Sequence, residues 1–435
     1  MESAASQHGS NDAATLRQAL ANQLKHQGLI HTPPVEEAFR MVPRHVFVPH
    51  EDIASAYSDR HIVTRWQNEL PISSCSQPSI TAIMLELLGL QPGQRILEIG
   101  AGTGYAAALM AHIVGESGQV VTIDLDEDIV DDARKHLEAA GINNVRVICT
   151  DGGLGWNEQA LYDRVILTVG ASDIAPAWYE QLRPGGRLVL PLQFTSFLSE
   201  LAIPSDQFLL ALDRTDSCLE SVSISCCAFI ALRGAFAETH TRPVSPGPET
   251  GLTCIFTGDI DTNDAFTVLG GPYQDEATGV HVAFPELGGL RLWLALFEPH
   301  FCELCVKGNV AKGSTVPPLL RRSDDFVATV GLYKQGTWCL LLLEEDTSPE
   351  ANPKWPFKLT IRRFGPDHAL VQHLGEQLTS WEQAGRPFNW SPHGTMEGLR
   401  IRAYPAGAEV VPQTHETLLK KRWTQFVFSM NDFLD

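Results

Sequence analysis

The apolar residues of this chain change their spacing along its length, and the changes divide it. Between residues 13 and 29, Leu16, Leu20, Leu24 and Leu29 recur along one side of a helix. Pro33-Pro34 stops that pattern, a short helix is expected from Val35 to Met41, and proline-bounded Val42–Pro49 reads as extended. Another amphipathic helix is expected over 79–90. From 95 to 191 short apolar runs alternate with helical stretches, the runs being 95–99, 119–124, 145–149, 163–169 and 187–191. That alternation predicts an α/β fold, a doubly wound parallel sheet with helices on both faces.

After Pro191 the helices drop out. Phe208–Leu212 and Cys226–Leu232 predict two strands paired antiparallel at the sheet edge. Thr241–Pro248 carries three prolines in eight residues and reads as a linker. Beyond it, strand-like runs at 289–297, 326–333, 337–344, 358–364 and 399–404 surround one helix, His368 to Ala384, that follows Gly365-Pro366-Asp367. This predicts a C-terminal α+β unit. The last segment, Trp423–Asp435, is apolar enough to pack as a strand or to dock as a tail. A length of 435 residues agrees with two or three domains, and no internal repeat is present.

The chemistry concentrates at Leu97–Tyr105, Leu-Glu-Ile-Gly-Ala-Gly-Thr-Gly-Tyr. A predicted buried strand ends in Gly100, Gly102 and Gly104, and a helix follows at once. Glycine allows so sharp a turn and lets a ligand approach the backbone. The dinucleotide fingerprint is Gly-x-Gly-x-x-Gly. Here the spacing is Gly-x-Gly-x-Gly, with Glu98 two residues before the first glycine. A pyrophosphate disfavours a carboxylate at that turn, whereas a ligand with an α-amino group and a sulfonium benefits from one. The pattern resembles the first motif of S-adenosylmethionine-dependent methyltransferases. Asp124, followed by Leu125, ends the next predicted strand, where an acid can accept both ribose hydroxyls. Asp151-Gly152 follows the third strand, where such folds hold the adenine edge.

Charge narrows the partners. With 32 Lys and Arg against 52 Asp and Glu, the net charge of −20 argues against nucleic acid as a partner. No apolar run reaches bilayer length, so no membrane is expected, and the N-terminus lacks a basic-then-apolar signal pattern. Nine cysteines, an odd number spread along the chain, suit reduced thiols and a cytoplasmic location. Cys302-x-x-Cys305 with His300 is the one metal-like cluster. A structural site needs four ligands, so buried thiols and no metal are expected.

Outside the glycine motif, residues 40–235 resemble protein-L-isoaspartate O-methyltransferases. Three parts carry the resemblance: Met41–Pro49 with Ala56-Tyr57; Ser74-Cys75-Ser76-Gln77-Pro78; and Thr150–Trp156 with Tyr162-Asp163 and Arg183–Leu188. The resemblance implies a carboxyl methyltransferase that takes S-adenosylmethionine, releases S-adenosylhomocysteine and acts on an isoaspartyl or altered aspartyl residue of a peptide or protein. It places the active-site serine on Ser76. Ser73, Ser74, Cys75, Gln77 and Thr81 fall where family members line the cofactor and substrate pocket, Thr81 on the cofactor side. Arg233, in the predicted edge strand, falls near a family cofactor position and is grouped with the substrate contacts. Ser76 or Ser79 could instead cap the following helix. The resulting organisation is a cap over 1–78, a cofactor-binding domain over 79–240, a linker over 241–249 and a substrate-recognition domain over 250–435.

Two departures stand out. Many repair members approach the serine through a glycine-rich, histidine-containing segment, whereas this chain has Glu69-Leu70-Pro71-Ile72-Ser73-Ser74-Cys75. The chain also adds nearly 200 residues. In this it resembles longer relatives in ribosomal peptide natural-product pathways (lanthipeptide, lasso and graspetide), in which an Asp of a ring-constrained precursor is methylated and the ester goes on to succinimide or isoaspartate. The main expectation is therefore a methyltransferase of a dedicated modified peptide. The alternatives are a general isoaspartyl repair enzyme with an accessory domain and an inactive binding module of the same fold.

Overall fold

The computed structural model describes residues 2–194, 207–237, 243–247, 250–256, 262–308, 311, 314–323, 325–388, 396, 398–413 and 416–430. The N-terminal part comprises α1 (Glu2–His26), α2 (Pro33–Met41), α3 (Ile53–Ala56), a hairpin of β1 (Ile62–Gln67) and β2 (Leu70–Cys75), and α4 (Pro78–Leu88). Val42–Pro49, read as extended, instead contains a 3-10 turn, Arg44–Phe47. Its side chains explain this: Arg44 is fully buried, donates Nε–H to Ala56 O at 2.9 Å and lies over the Tyr105 ring.

The alternation from 95 onward forms as expected. It runs β3 (Arg95–Ile99), α5 (Tyr105–Val114), β4 (Gln119–Asp124), α6 (Glu127–Ala139), β5 (Val145–Cys149), β6 (Tyr162–Leu167), α7 (Pro176–Glu180) and β7 (Leu182–Leu192). Strands β3 to β7 pair in parallel, the Rossmann-like arrangement. Next come β8 (Gln207–Arg214) and β9 (Leu219–Cys227), antiparallel to each other. The second strand therefore ends at Cys227, where the sequence reading had placed its start near 226.

The chain then builds a second sheet from β10 (Leu252–Phe256), β11 (Tyr273–Val282), β12 (Phe301–Lys307), β13 (Leu320–Ser323), β14 (Phe326–Lys334), β15 (Thr337–Glu345) and β16 (Phe357–Phe364). Helices α8 (Thr262–Val268), α9 (Leu287–Phe297) and α10 (His368–Gln383) accompany it. Asp367 caps α10, its carboxylate accepting from Ala369 N–H at 2.9 Å. The run 289–297, read as a strand, is α9. Leu-x-Leu alternation suggested a strand, but Leu287, Leu290, Leu292 and Leu294 are all buried, and a helix that is apolar nearly all round belongs inside a core. Its one charge, Arg291, is buried against Glu303 of β12 at 2.8 Å.

Strands β17 (Leu399–Pro405), β18 (Glu416–Lys420) and β19 (Thr424–Met430) do not join the second sheet. They return to the first, giving the order β18-β19-β17-β9-β8-β7-β6-β3-β4-β5. The β8–β9 pair is thus interior to the sheet, not its edge. One apolar core runs from Leu97 and Leu190 through Leu290 and Leu374 to Phe426, so both sheets share it. Val244, inside the expected linker, pairs with Cys254 (N–H to O at 2.8 and 2.9 Å), while 241, 242, 248 and 249 lie outside the described residues. The final tail segment is strand β19 up to Met430, and 431–435 lie outside the description. Among the described residues no helix is long and apolar enough to cross a membrane. Cys302 and Cys305 fall on opposite faces of β12, in separate core clusters, where they cannot share an ion.

Candidate active site

Strand β3 must turn directly into α5, and the three glycines make this possible. Gly100, Gly102 and Gly104 have φ of 101°, 50° and 85°, all left-handed. Space adds to the requirement at Gly100, where a Cβ would lie 2.8 Å from Thr168 Oγ1 and 2.9 Å from Val169 Cγ1. At Gly102 a Cβ would stand 3.1 Å from Ser74 O, so the end of β2 passes directly over the turn.

The turn sits where the sheet changes direction. Strand β3 is flanked by β4 on one side and β6 on the other. Thr168, just past β6, donates its N–H to Ile99 O (3.0 Å) and its hydroxyl to Gly100 O (2.6 Å). In open α/β sheets ligands bind in the crevice at this switch point, at the carboxyl ends of the strands. Here the crevice is a cleft of about 470 Å³. Ser73, Ser74, Cys75, Ser76, Gln77 and Thr81 line one wall, and Glu98, Gly100, Gly102 and Asp124 another. Thr168-Val169 and Ala228–Ile230 complete it.

The two acids in the cleft differ. Glu98 is fully buried, and Thr122 Oγ1 donates to its Oε2 at 2.6 Å. Its other oxygen, Oε1, has no hydrogen-bond partner among the described residues. Burial pushes the carboxyl up to about 8 against the Thr122 hydrogen bond, and the Asp124 charge adds to the rise. Asp124 accepts from Gly102 N–H at 3.0 Å through Oδ2 and from Leu125 N–H at 2.9 Å through Oδ1, while burial raises its pKa. It therefore anchors the glycine turn as well as facing the cleft. A buried carboxylate oxygen without a donor is costly, and a cationic group entering the cleft would relieve that cost.

Ser76 lies between β2 and α4 and makes no side-chain hydrogen bond among the described residues. The capping role open to Ser76 or Ser79 falls elsewhere. Gln77 holds the N-cap position without a side-chain bond, and Asp59 Oδ1 accepts from Ser79 N–H at 2.9 Å. Thr81 Oγ1 donates to Gln77 O at 3.0 Å, and Ser73 Oγ accepts from Thr64 Oγ1 at 3.2 Å.

Five residues named from the sequence lie outside the cleft lining, and the first, Gly104, holds the N-cap position of α5. Leu125 follows Asp124 and is partly exposed. Asp151 spends its carboxylate on backbone, accepting from Gly153 N–H (2.9 Å) and Ala235 N–H (2.6 Å). Gly152 packs so closely on Ile99 that a Cβ would collide with it, and its carbonyl accepts from Trp178 Nε1 at 2.9 Å. Arg233 follows an isolated bridge rather than lying in a strand, and it pairs with Asp126. Conversely, the sequence reading passed over Thr168, Val169 and Ala228–Ile230. The first two end a strand beside β3, so the switch-point rule would have found them. Ala228–Ile230 carry no local signal, being three apolar residues in an apolar run.

A family model described as protein-L-isoaspartate(D-aspartate) O-methyltransferase matches residues 15–229. Protein-L-isoaspartate O-methyltransferase 2 of Archaeoglobus fulgidus is 42% identical over 179 residues, 40% of this chain and 78% of that protein. Protein-L-isoaspartate O-methyltransferase 1 of the same organism is 37% identical over 223 residues, 51% and 94% of the two chains. A solved structure of a protein-L-isoaspartate O-methyltransferase aligns with a TM-score of 0.48 and 23% identity, covering 89% of this chain and 96% of that one.

Proposed function

This chain belongs to the protein-L-isoaspartate O-methyltransferase family, and on that footing we propose that it methylates the carboxylate of an isoaspartyl or altered aspartyl residue in a peptide or protein. The observation that carries the reading is the cleft between a half-satisfied buried carboxylate, Glu98, and an uncommitted serine hydroxyl, Ser76. The donor is S-adenosylmethionine, which when bound supplies a sulfonium methyl for a single displacement.

The residues suit that chemistry. The Glu98 oxygen without a partner receives the ammonium of the donor, and Asp124 receives its ribose hydroxyls while holding Gly102. The acceptor carboxylate is already ionised near neutrality, its reference pKa being about 4, so no general base is needed. The task is alignment and removal of water. A neutral donor such as Ser76 holds the carboxylate without over-stabilising its ground state, as a basic clamp would. The acceptor oxygen forms the new C–O bond as the C–S bond breaks, and the electron pair stays on sulfur as S-adenosylhomocysteine.

A finer reading makes the acceptor an Asp of a ring-constrained, ribosomally made peptide. The second seven-stranded sheet, absent from a minimal methyltransferase, favours it, whereas the relatives named above carry the general isoaspartyl name. One experiment separates the two. The protein is incubated with S-adenosylmethionine and a short unstructured isoaspartyl peptide, and ester formation is followed. Efficient transfer supports the general reading and removes the dedicated-peptide one. No transfer to that peptide, with transfer to a constrained aspartyl peptide, reverses the choice. No transfer to either, with no binding of S-adenosylmethionine, leaves the inactive-module reading.

A further inference from the structure

The walls of the cleft differ in what holds them. The glycine turn is fixed within the parallel sheet. Thr168-Val169 and Ala228–Ile230 instead continue into two segments, 170–174 and 231–236, that lie outside the named strands, with Ala171 bridging to β7 at Leu192. These segments join each other, Gly170 N–H donating to Ile230 O (2.8 Å) and Leu232 N–H to Gly170 O (2.7 Å).

Both are gripped by the turn between β18 and β19, some 250 residues beyond the first segment and about 190 beyond the second. The Lys421 ammonium donates to Ser172 O (2.5 Å) and Gln193 O (3.0 Å). Trp423 N–H donates to Asp173 Oδ2 at 2.8 Å, and Thr424 Oγ1 donates to Ile174 O at 3.1 Å. The Trp423 ring lies 4.8 Å from that of Phe236. The Phe236 ring in turn presses on Gly153, where a Cβ would collide with it. Asp173 is buried, with only 7% of its surface exposed, so its bonds to the hairpin are sheltered from water.

We propose that the Lys421–Thr424 turn, with Trp423 as its principal contact, is a positioning element for the wall of the cleft formed by Thr168-Val169 and Ala228–Ile230. The inference rests on the methyl-transfer reading above. Displacement by an ångström of the groups that align reacting atoms costs about a hundredfold in rate. Glu98 and Asp124 are held within the parallel sheet, by Thr122 and by the Gly102 and Leu125 amides, whereas Gly100 leans on Thr168 of this wall. Loosening the hairpin should therefore disturb the alignment of the reacting groups more than the Glu98 and Asp124 contacts that hold the donor.

The test uses the full chain with Trp423→Ala and Trp423→Phe, the second keeping an aromatic contact on Phe236. Calorimetry with S-adenosylhomocysteine counts folded donor sites, and kinetics with an isoaspartyl peptide are expressed per site. In Trp423→Ala, kcat should fall about tenfold to a hundredfold and the peptide KM should rise, with the donor Kd changed less than threefold. Trp423→Phe should restore most of the loss. Amide exchange at Gly170 and Leu232 should quicken in Trp423→Ala while exchange in β3 and β4 stays as in the parent, a readout independent of turnover. Unchanged kinetics per site with unchanged exchange at Gly170 and Leu232 would overturn the proposal. So would a proportional loss of donor affinity and kcat, the mark of a general structural support. A parent protein that binds the donor but methylates no isoaspartyl peptide would count against the functional reading, and the exchange comparison would then decide the hairpin's role alone.

Discussion

Thr122 and Glu98 face each other across paired strands, with Thr122 Oγ1 donating to Glu98 Oε2 at 2.6 Å and Glu98 Oε1 left buried without a donor among the described residues. Burial without full compensation pushes the Glu98 carboxyl up to about 8, so at pH 7 it favours the protonated form until a cation meets it. A ligand ammonium selects the carboxylate, and that proton must leave.

Binding should therefore release most of a proton at pH 7. Calorimetric titration with S-adenosylhomocysteine in buffers of differing ionisation enthalpy measures this. Affinity should rise with pH as Glu98 ionises and level off above about pH 8, once the carboxylate is formed without the ligand. Glu98→Gln should release no proton and bind at least tenfold more weakly at pH 8. Equal proton release by parent and variant would remove Glu98 from the ammonium site. The same shift bears on stability. With the folded pKa raised, the folded state holds a proton that the unfolded chain has lost, so the stability of the empty protein should fall as pH rises from about 4.5 to 8.

Asp124→Ala removes the ribose acceptor and the anchor of Gly102 together. Hydrogen bonds to a charged group contribute roughly 1.5–3 kcal/mol each, so donor affinity should fall by at least tenfold. Unchanged affinity by calorimetry would count against the assignment.

Ser76→Ala should reduce kcat far more than donor affinity. The hydroxyl makes no hydrogen bond among the described residues, so its loss should also leave the melting temperature within a degree or two of the parent. A lowered melting temperature with donor affinity and kcat falling in step would make Ser76 structural.

Gly100→Ala meets both a left-handed backbone, φ 101°, and a side wall 2.8 Å away at Thr168 Oγ1. Strain of this kind costs about 1–3 kcal/mol, and relieving it would move Thr168 into or away from the cleft. Thermal melting should show that loss, and calorimetry should show donor binding weakened beyond what the fraction unfolded explains.

Much of the donor site was legible because its demands are local. Alternate glycines after an apolar run state that the backbone turns left-handed there, and an acid at the end of each predicted strand lands on the same edge of a parallel sheet. Glu98 and Asp124 reach the cleft on that logic. Asp151 follows the same rule, yet it lies outside the cleft lining, where residues 231–236 fold back against it and Ala235 N–H donates to it. Nothing near Asp151 in the sequence announces that return. Helix α9 was misread for a related reason. Alternating leucines suit a strand with one wet face, but here every face of the element is covered by neighbours that only the fold supplies.

By itself the sequence determined the alternation of parallel strands and helices and the glycine turn with its acids, since each follows from the φ, ψ and burial that a residue and its near neighbours accept; the choice of Ser76 rests on the family resemblance. Only the tertiary structure decided that β17, β18 and β19 leave the second sheet to extend the first, and that Lys421 and Trp423 grip the loops beside the cleft. An open strand edge offers the same row of N–H and C=O groups to any partner. The residues of β9 could not show that the strand filling that edge lies some 180 positions away, where Arg400 meets Glu220.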